Sequence, residues 1–224
     1  MSKNYFSSSI GQKTVVAVTG LMLIGFIIAH LLGNLQLFLG ADVFNNYAKM
    51  LQDLGGLLWV ARGGLIVAFV LHIVFTIKLA VANREARPQP YKNKQFRAAT
   101  PASRYMTHLG IILLVFVIVH LLHFTFGVIA AENAGLTDWK DRHDVYSMVI
   151  LGFQDPRYSV LYIICLIALG AHLSHGIQSV FQTVGFYHEK FTPQIRCFSI
   201  AFGWLVALGY ISIPVSVLCG LVTL

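Results

Sequence analysis

Four stretches of this chain, 14–40, 105–131, 158–184 and 197–223, contain no Asp, Glu, Lys or Arg. A bilayer's hydrocarbon core of about 30 Å is crossed by about 20 residues of helix, so each run is long enough to span a membrane. A fifth stretch, 55–81, carries Arg62 and Lys78. Both lie within two turns of an end of that stretch, where a long side-chain stem can carry the charge to the interface. The rest of the composition agrees: 57% of the residues are hydrophobic and only 11% charged, against about 25% charged in soluble domains. So much apolar surface cannot be hidden in a soluble core of 224 residues. A soluble α/β enzyme, a disulfide scaffold and a disordered chain are thereby excluded, and the expected fold is an all-α membrane protein, a five-transmembrane-helix bundle forming a single domain over 1–224.

Five crossings put the two termini on opposite sides, and Lys and Arg in the connecting segments orient the chain. Segments 1–13, 78–104 and 185–196 carry a net +9, from Lys3, Lys13, Lys78, Arg84, Arg87, Lys92, Lys94, Arg97, Arg104, Lys190 and Arg196 against Glu85 and Glu189. Segments 40–62 and 132–157 carry a net −2. The N-terminus is therefore expected in the cytoplasm and the C-terminus outside. The whole-chain charge of +7 is topogenic and calls for no nucleic-acid partner, although a basic cytoplasmic face could dock a partner subunit. The largest cytoplasmic feature is 83–108, with Pro88, Pro90 and Pro101. The first apolar run is too long for a signal-peptide core and lacks an A-x-A site, so it reads as a retained anchor. Cys165, Cys197 and Cys219 form no C-x-x-C and read as small hydrophobes. No low-complexity tract and no internal repeat is read from the sequence.

The chemistry lies in the nine histidines. At about 1.5 Å of rise per residue, His30, His72, His120, His123, His172 and His175 fall within the hydrocarbon region, while His108, His143 and His188 sit at helix ends or in loops. A single buried imidazole is most simply a hydrogen-bonded packing residue. Four helices each contributing one is a different pattern, because two neutral imidazoles facing each other across a flat macrocycle ligate haem iron. Helices one and three run outward, with His30 and His120 beyond their midpoints, so these two share an outer level. Helices two and four run inward, and His72 and His172 or His175 share an inner one. Zinc is the weaker alternative, since it requires four ligands converging at one level.

The segments IIAHLLGN, LHIVFTIKLA, RYMTH followed by FVIVHLLHF, and HLSHGIQSVFQTVG together make the chain resemble the di-haem cytochrome b membrane anchors of succinate dehydrogenases and fumarate reductases. The resemblance covers essentially the whole chain. It implies two haem b groups, with His30 and His120 on the iron of a distal haem near the outer face and His72 and His172 on that of a proximal haem. In the family a glycine follows the ligand by four residues and another closes the helix, as Gly176 and Gly185 do after His172; this favours His172 over His175. His175 is then a neighbour of the haem or a packing residue. His123 is either a quinone or propionate contact or a packed interfacial histidine.

Propionates want cations where they leave the hydrocarbon. Arg62 suits the distal haem, and Lys78 and Arg104 the proximal one, unless the latter two simply snorkel. Asn34 and Gln36 could hydrogen-bond a quinone carbonyl. All nine carboxylates lie in loops or at helix ends, and Gly170 stands two residues before His172, where some relatives carry a buried acid; no transmembrane carboxylate route for protons is expected. The resemblance further implies a multi-pass protein of the inner, cytoplasmic membrane, in contact with lipid. It implies partnership with an iron–sulfur subunit and a flavoprotein subunit carrying FAD and the dicarboxylate chemistry, electron transfer to menaquinone or ubiquinone as part of succinate dehydrogenase in respiration and the tricarboxylic acid cycle, and scope for a higher oligomer. No catalytic residue for the dicarboxylate reaction is expected here, since the chain has neither a dinucleotide fingerprint nor a cysteine set for a cluster. Alternatives are a fumarate reductase anchor running in reverse, the cytochrome b subunit of another membrane oxidoreductase, and, from a different class, a histidine-lined proton or metal transporter.

Overall fold

A computed structural model describes residues 6, 8–86 and 100–224. Among these, helix dominates: α1 Ser9–Leu35, α2 Ala41–Asp53, α3 Gly56–Glu85, α4 Pro101–Arg104, α5 Met106–His120, α6 Val145–Gln154, α7 Pro156–Thr183 and α8 Thr192–Leu218. Five helices are long and apolar enough to cross a membrane, namely α1 with its 3₁₀ extension, α3, α5 with its π extension, α7 and α8. The protein is an all-α, multi-pass membrane protein. Lys3, Arg87, Lys92, Lys94, Arg97, Pro88 and Pro90, all part of the charge reading, lie outside the described residues.

The helix ends follow local chemistry. The Ser8 hydroxyl caps α1 by accepting from Gly11 N–H at 3.1 Å, and the Asp155 carboxylate caps α7 by accepting from Arg157 N–H at 2.8 Å, with Pro156 at the first helical position. Gly185, at φ +89°, closes α7, and Phe186 N–H donates back to the Phe181 carbonyl at 2.9 Å.

Helix α3 packs chiefly against α1, α5 against α7, and α7 most extensively against α8. The α7–α8 seam is made of small residues. A Cβ on Gly203 would stand 2.8 Å from the backbone nitrogen of Ser174, and one on Gly170 2.9 Å from the Ala207 Cβ. Small side chains four apart let helix backbones approach where lipid supplies no hydrophobic drive between them. That close approach accounts for Gly170 in packing terms.

Two features depart from the sequence reading. The segments expected outside from the charge pattern, at the end of the bundle termed outer, hold two further helices, α2 and α6. Tyr47 of α2 docks on α1 where Gly33 leaves space, since a Cβ there would overlap its ring at 2.6 Å. Phe44 of α2, Val149, Ile150 and Phe153 of α6, Tyr162 of α7, and Ile213 and Val217 of α8 form one buried cluster at the outer end. Helix α5 also stops well before residue 131. After His120 the chain widens into a π turn over Leu121–Thr125, where Phe126 N–H reaches the Leu121 carbonyl at 2.8 Å, and Gly127 at φ +59° ends the helix. The apolar run continues beyond it as loop, which hydropathy alone does not distinguish from helix.

A candidate bis-histidine centre at two depths

At the outer level, the imidazoles of His30 on α1 and His120 on α5 lie with ring centroids 5.9 Å apart and planes at 80°. A metal–imidazole bond is about 2 Å long, so one metal between two ligating nitrogens separates them by about 4 Å and, each ring centre lying about 1 Å further out, the ring centres by about 6 Å. The observed spacing fits such a pair. Phe26 stacks on His30 at 5.3 Å, and Phe116 lies 6.0 Å from His120. Tyr210 of α8 lies 6.1 Å from His30 and ties α8 to α1 through a hydroxyl that donates to the Ile27 carbonyl at 2.7 Å.

At the inner level, His72 of α3 rests against α1. A Cβ on Gly20 would lie 3.3 Å from its Cε1, and its Nδ1 is 3.2 Å from the Thr19 hydroxyl. His172 of α7 points toward α5, with its Cε1 3.9 Å from where a Cβ of Gly110 would stand, and lies within electrostatic reach of His72 and His175. Its Nδ1 is buried without a hydrogen-bond partner. His175 engages its Nε2 with the Ser179 hydroxyl at 3.2 Å, one turn along its own helix. No heavy atom lies within 4 Å of where a Cβ on Gly176 would stand, so that face of α7 beside His172 is open.

A pattern that the sequence reading missed links the levels. Gly20 lies behind His72 and precedes His30 by ten residues; Gly110 lies near His172 and precedes His120 by ten. Residues 20–32, GLMLIGFIIAHLL, align with 110–122, GIILLVFVIVHLL, matching Gly, Phe, His and the Leu-Leu pair. The two segments are identical at seven of thirteen positions and share the same spacing from glycine to histidine. Ten residues of helix rise about 15 Å, and at about 100° per residue they turn the second position well away from the first. One helix therefore serves different neighbours at two depths.

His123 differs from the four. It is buried at 3% exposure, stacks on Phe124 at 4.0 Å, and its Nδ1 is 3.2 Å from the Tyr162 hydroxyl, which is itself 3.5 Å from His120 Nδ1. Tyr162 therefore bridges the two histidines, a connection made by the π turn and absent from the sequence reading. His123 Nε2 has no partner.

The cations are placed on the surface. Arg62, Lys78 and Arg104 are exposed and lie over the rings of Trp59, Phe75 and Tyr105, at 5.0, 5.2 and 5.9 Å. Asn34 spends one amide hydrogen on the His30 carbonyl at 2.7 Å. Gln36 lines a small outer cleft of about 270 Å³ with Asp42, Asn46 and Tyr47.

A polar network caps the outer end. Buried Asn45 of α2 donates to Asp144 at 2.9 Å and Asp138 at 3.2 Å, and accepts from Tyr146 N–H at 2.9 Å. Arg142, also buried, bridges Asp138 at 2.6 Å and Asp42 at 2.7 Å. The Arg142 guanidinium holds the Asp138 carboxyl well below the usual carboxylate range. A depressed carboxyl pKa contributes stability that is fully present above the ordinary carboxylate range and lost as pH falls toward the folded value. The cap is therefore intact at neutral pH and loosens only in strong acid.

These features define a class: a five-helix membrane bundle with a close histidine pair on α1 and α5 and two further histidines, on α3 and α7, at a second depth along the same helices. Among the described residues no group of three or more His, Cys, Asp or Glu side chains is placed to hold a metal ion. No family model, curated protein or solved structure matches this chain.

Proposed function

We propose that the chain is the di-haem cytochrome b anchor of a succinate:quinone oxidoreductase, passing electrons between a cytoplasmic iron–sulfur subunit and membrane quinone. The observation that carries this reading is the pairing of His30 with His120 at 5.9 Å; His72, against Gly20, and His172, near Gly110, each about 15 Å of rise away along the same two helices, are the proposed second pair. A haem held by two such imidazoles would supply a one-electron carrier. The residues present fit two such groups: each level offers two imidazoles from different helices, and α3 packs chiefly on α1.

His30 and His120 are the proposed ligands of the outer haem, and His72 and His172 those of the inner one. His172 is favoured over His175 on the family pattern of Gly176 and Gly185 that follows it. Arg62 on the outer side and Lys78 and Arg104 on the inner side are the proposed cations for propionates, reached by swinging off their aromatic neighbours. Gln36, in its outer cleft, and Asn34 are the proposed hydrogen-bonding groups for a quinone, with menaquinone favoured over ubiquinone on the family resemblance. The positive-inside charge pattern supports a cytoplasmic N-terminus in a bacterial-type inner membrane, with Lys13, Lys78, Arg84, Arg104, Lys190 and Arg196 facing the iron–sulfur partner. The flavoprotein subunit with its FAD would carry out the dicarboxylate reaction in the direction of succinate oxidation.

The test is a reduced-minus-oxidised spectrum of the purified complex, with haem quantified per chain, for the wild type and for alanine replacements of His30, His72, His120, His172 and His175. Two b haems are expected per chain, with His30 and His120 variants losing the same haem and His72 and His172 variants the other, and His175→Ala keeping both. A wild-type chain with no haem sinks the reading.

A further inference from the structure

The hydrogen bond between His72 and Thr19 has a direction. A threonine hydroxyl owns one proton, and its nearest acceptor at Thr19 is the Val15 carbonyl, 2.7 Å away on its own helix, ahead of the Val16 carbonyl at 3.2 Å. With the proton committed to the helix, the 3.2 Å contact to His72 Nδ1 uses an oxygen lone pair, and the proton in it belongs to the imidazole. A neutral imidazole protonated at Nδ1 has its lone pair at Nε2. Thr19 is 5% exposed, so water does not compete for the contact. Gly20 beside it lets the ring approach, since a Cβ there would stand 3.3 Å from His72 Cε1. His172 has no such device: its Nδ1 is buried without a partner.

We propose that Thr19 is a positioning residue for His72: it accepts the Nδ1–H, fixes the ring's orientation, and presents Nε2 as the ligating nitrogen of the inner site. The assignment rests on the reading of His72 as a haem ligand. Metal-binding histidines generally donate their second ring N–H to an acceptor that fixes the tautomer and raises ligand basicity. Here that acceptor comes from α1, the helix that also carries the outer ligand His30. A more basic imidazole favours ferric over ferrous iron, so Thr19 lowers the inner haem's potential relative to the same site without it.

The test compares Thr19→Val, which keeps the volume and removes the acceptor, with Thr19→Ser, which restores it. In the full chain labelled with ¹⁵N-histidine, the resonance that disappears in His72→Ala identifies His72. Its Nδ1-protonated signature is expected in wild type and Thr19→Ser and lost in Thr19→Val. In the loaded complex, the inner haem's midpoint potential is expected to rise in Thr19→Val and return in Thr19→Ser, while the outer haem's potential stays put. Unchanged tautomer and potential in a folded Thr19→Val protein overturn the proposal. If Thr19→Val does not fold, loss of the wild-type signature in Thr19→Ser overturns it equally. A wild-type chain without haem overturns the cytochrome reading instead, and the tautomer readout still decides what Thr19 does.

Discussion

At the scale of single residues, the histidines fall into two kinds. His30 and His120 approach each other with ring centroids 5.9 Å apart, whereas His72, His123 and His175 each turn a ring nitrogen to a hydroxyl, of Thr19, Tyr162 and Ser179. Tyr162 matters most among these neighbours because it is buried at 3% exposure and reaches both His123 and His120. Replacing it with phenylalanine removes one buried hydroxyl and little volume. The expected result is a stability loss of about 1 kcal/mol, read as a lower Tm; on the proposed reading the outer haem's potential would also change while the inner one's would not. That four of the helices carry a histidine inside an apolar run was legible in the sequence, because an imidazole there stands out. Thr19 and Tyr162 were not, because their roles depend on the rotational register between neighbouring helices. The glycine ten residues before His30 and again before His120 was in plain view and would have revealed the shared spacing, had the two outward-running segments been aligned.

At the scale of elements, hydropathy located five spans to within a few residues and failed at the outer face. Helix α2 mixes Asp42, Asn45, Asn46, Lys49 and Asp53 with Phe44, Tyr47 and Leu51, so it carries no apolar run; what makes it a helix is a partner on one side. That partner is α1 at Gly33 and the loop before α6, and Asn45 joins them. Truncating Asn45 to alanine leaves the Tyr146 N–H without its acceptor and removes two bonds to carboxylates. The expected cost is about 1–3 kcal/mol, detectable as a lower unfolding temperature and as faster hydrogen exchange in 41–53 than in α7. The end of α5 escaped the sequence reading for the opposite reason. The apolar stretch there is longer than the helix, and the π turn that ends it leaves no compositional mark.

At the scale of the whole molecule, the cysteines offer a natural test of orientation. Cys197, near the start of α8, and Cys219, just past its end, are both exposed, and Cys165 in α7 is buried. With the N-terminus in the cytoplasm, a membrane-impermeant thiol reagent added outside intact cells is expected to modify Cys219 and spare Cys197. Inverted vesicles should reverse the result, and Cys165 should react only after unfolding. Labelling of Cys197 from outside would invert the topology, and with it the assignment of inner and outer levels.

The ten-residue step from Gly20 to His30 and from Gly110 to His120 has an electrical consequence. About 15 Å of rise is roughly half of a 30 Å hydrocarbon core. On the proposed reading, an electron passing between the two levels crosses about half the membrane voltage, worth about 1 kcal/mol per 100 mV. With the cell interior negative, that work assists outward transfer and opposes the return. The energised state of the membrane would thus bias the direction in which the chain conducts, with no moving part and no change of ligand.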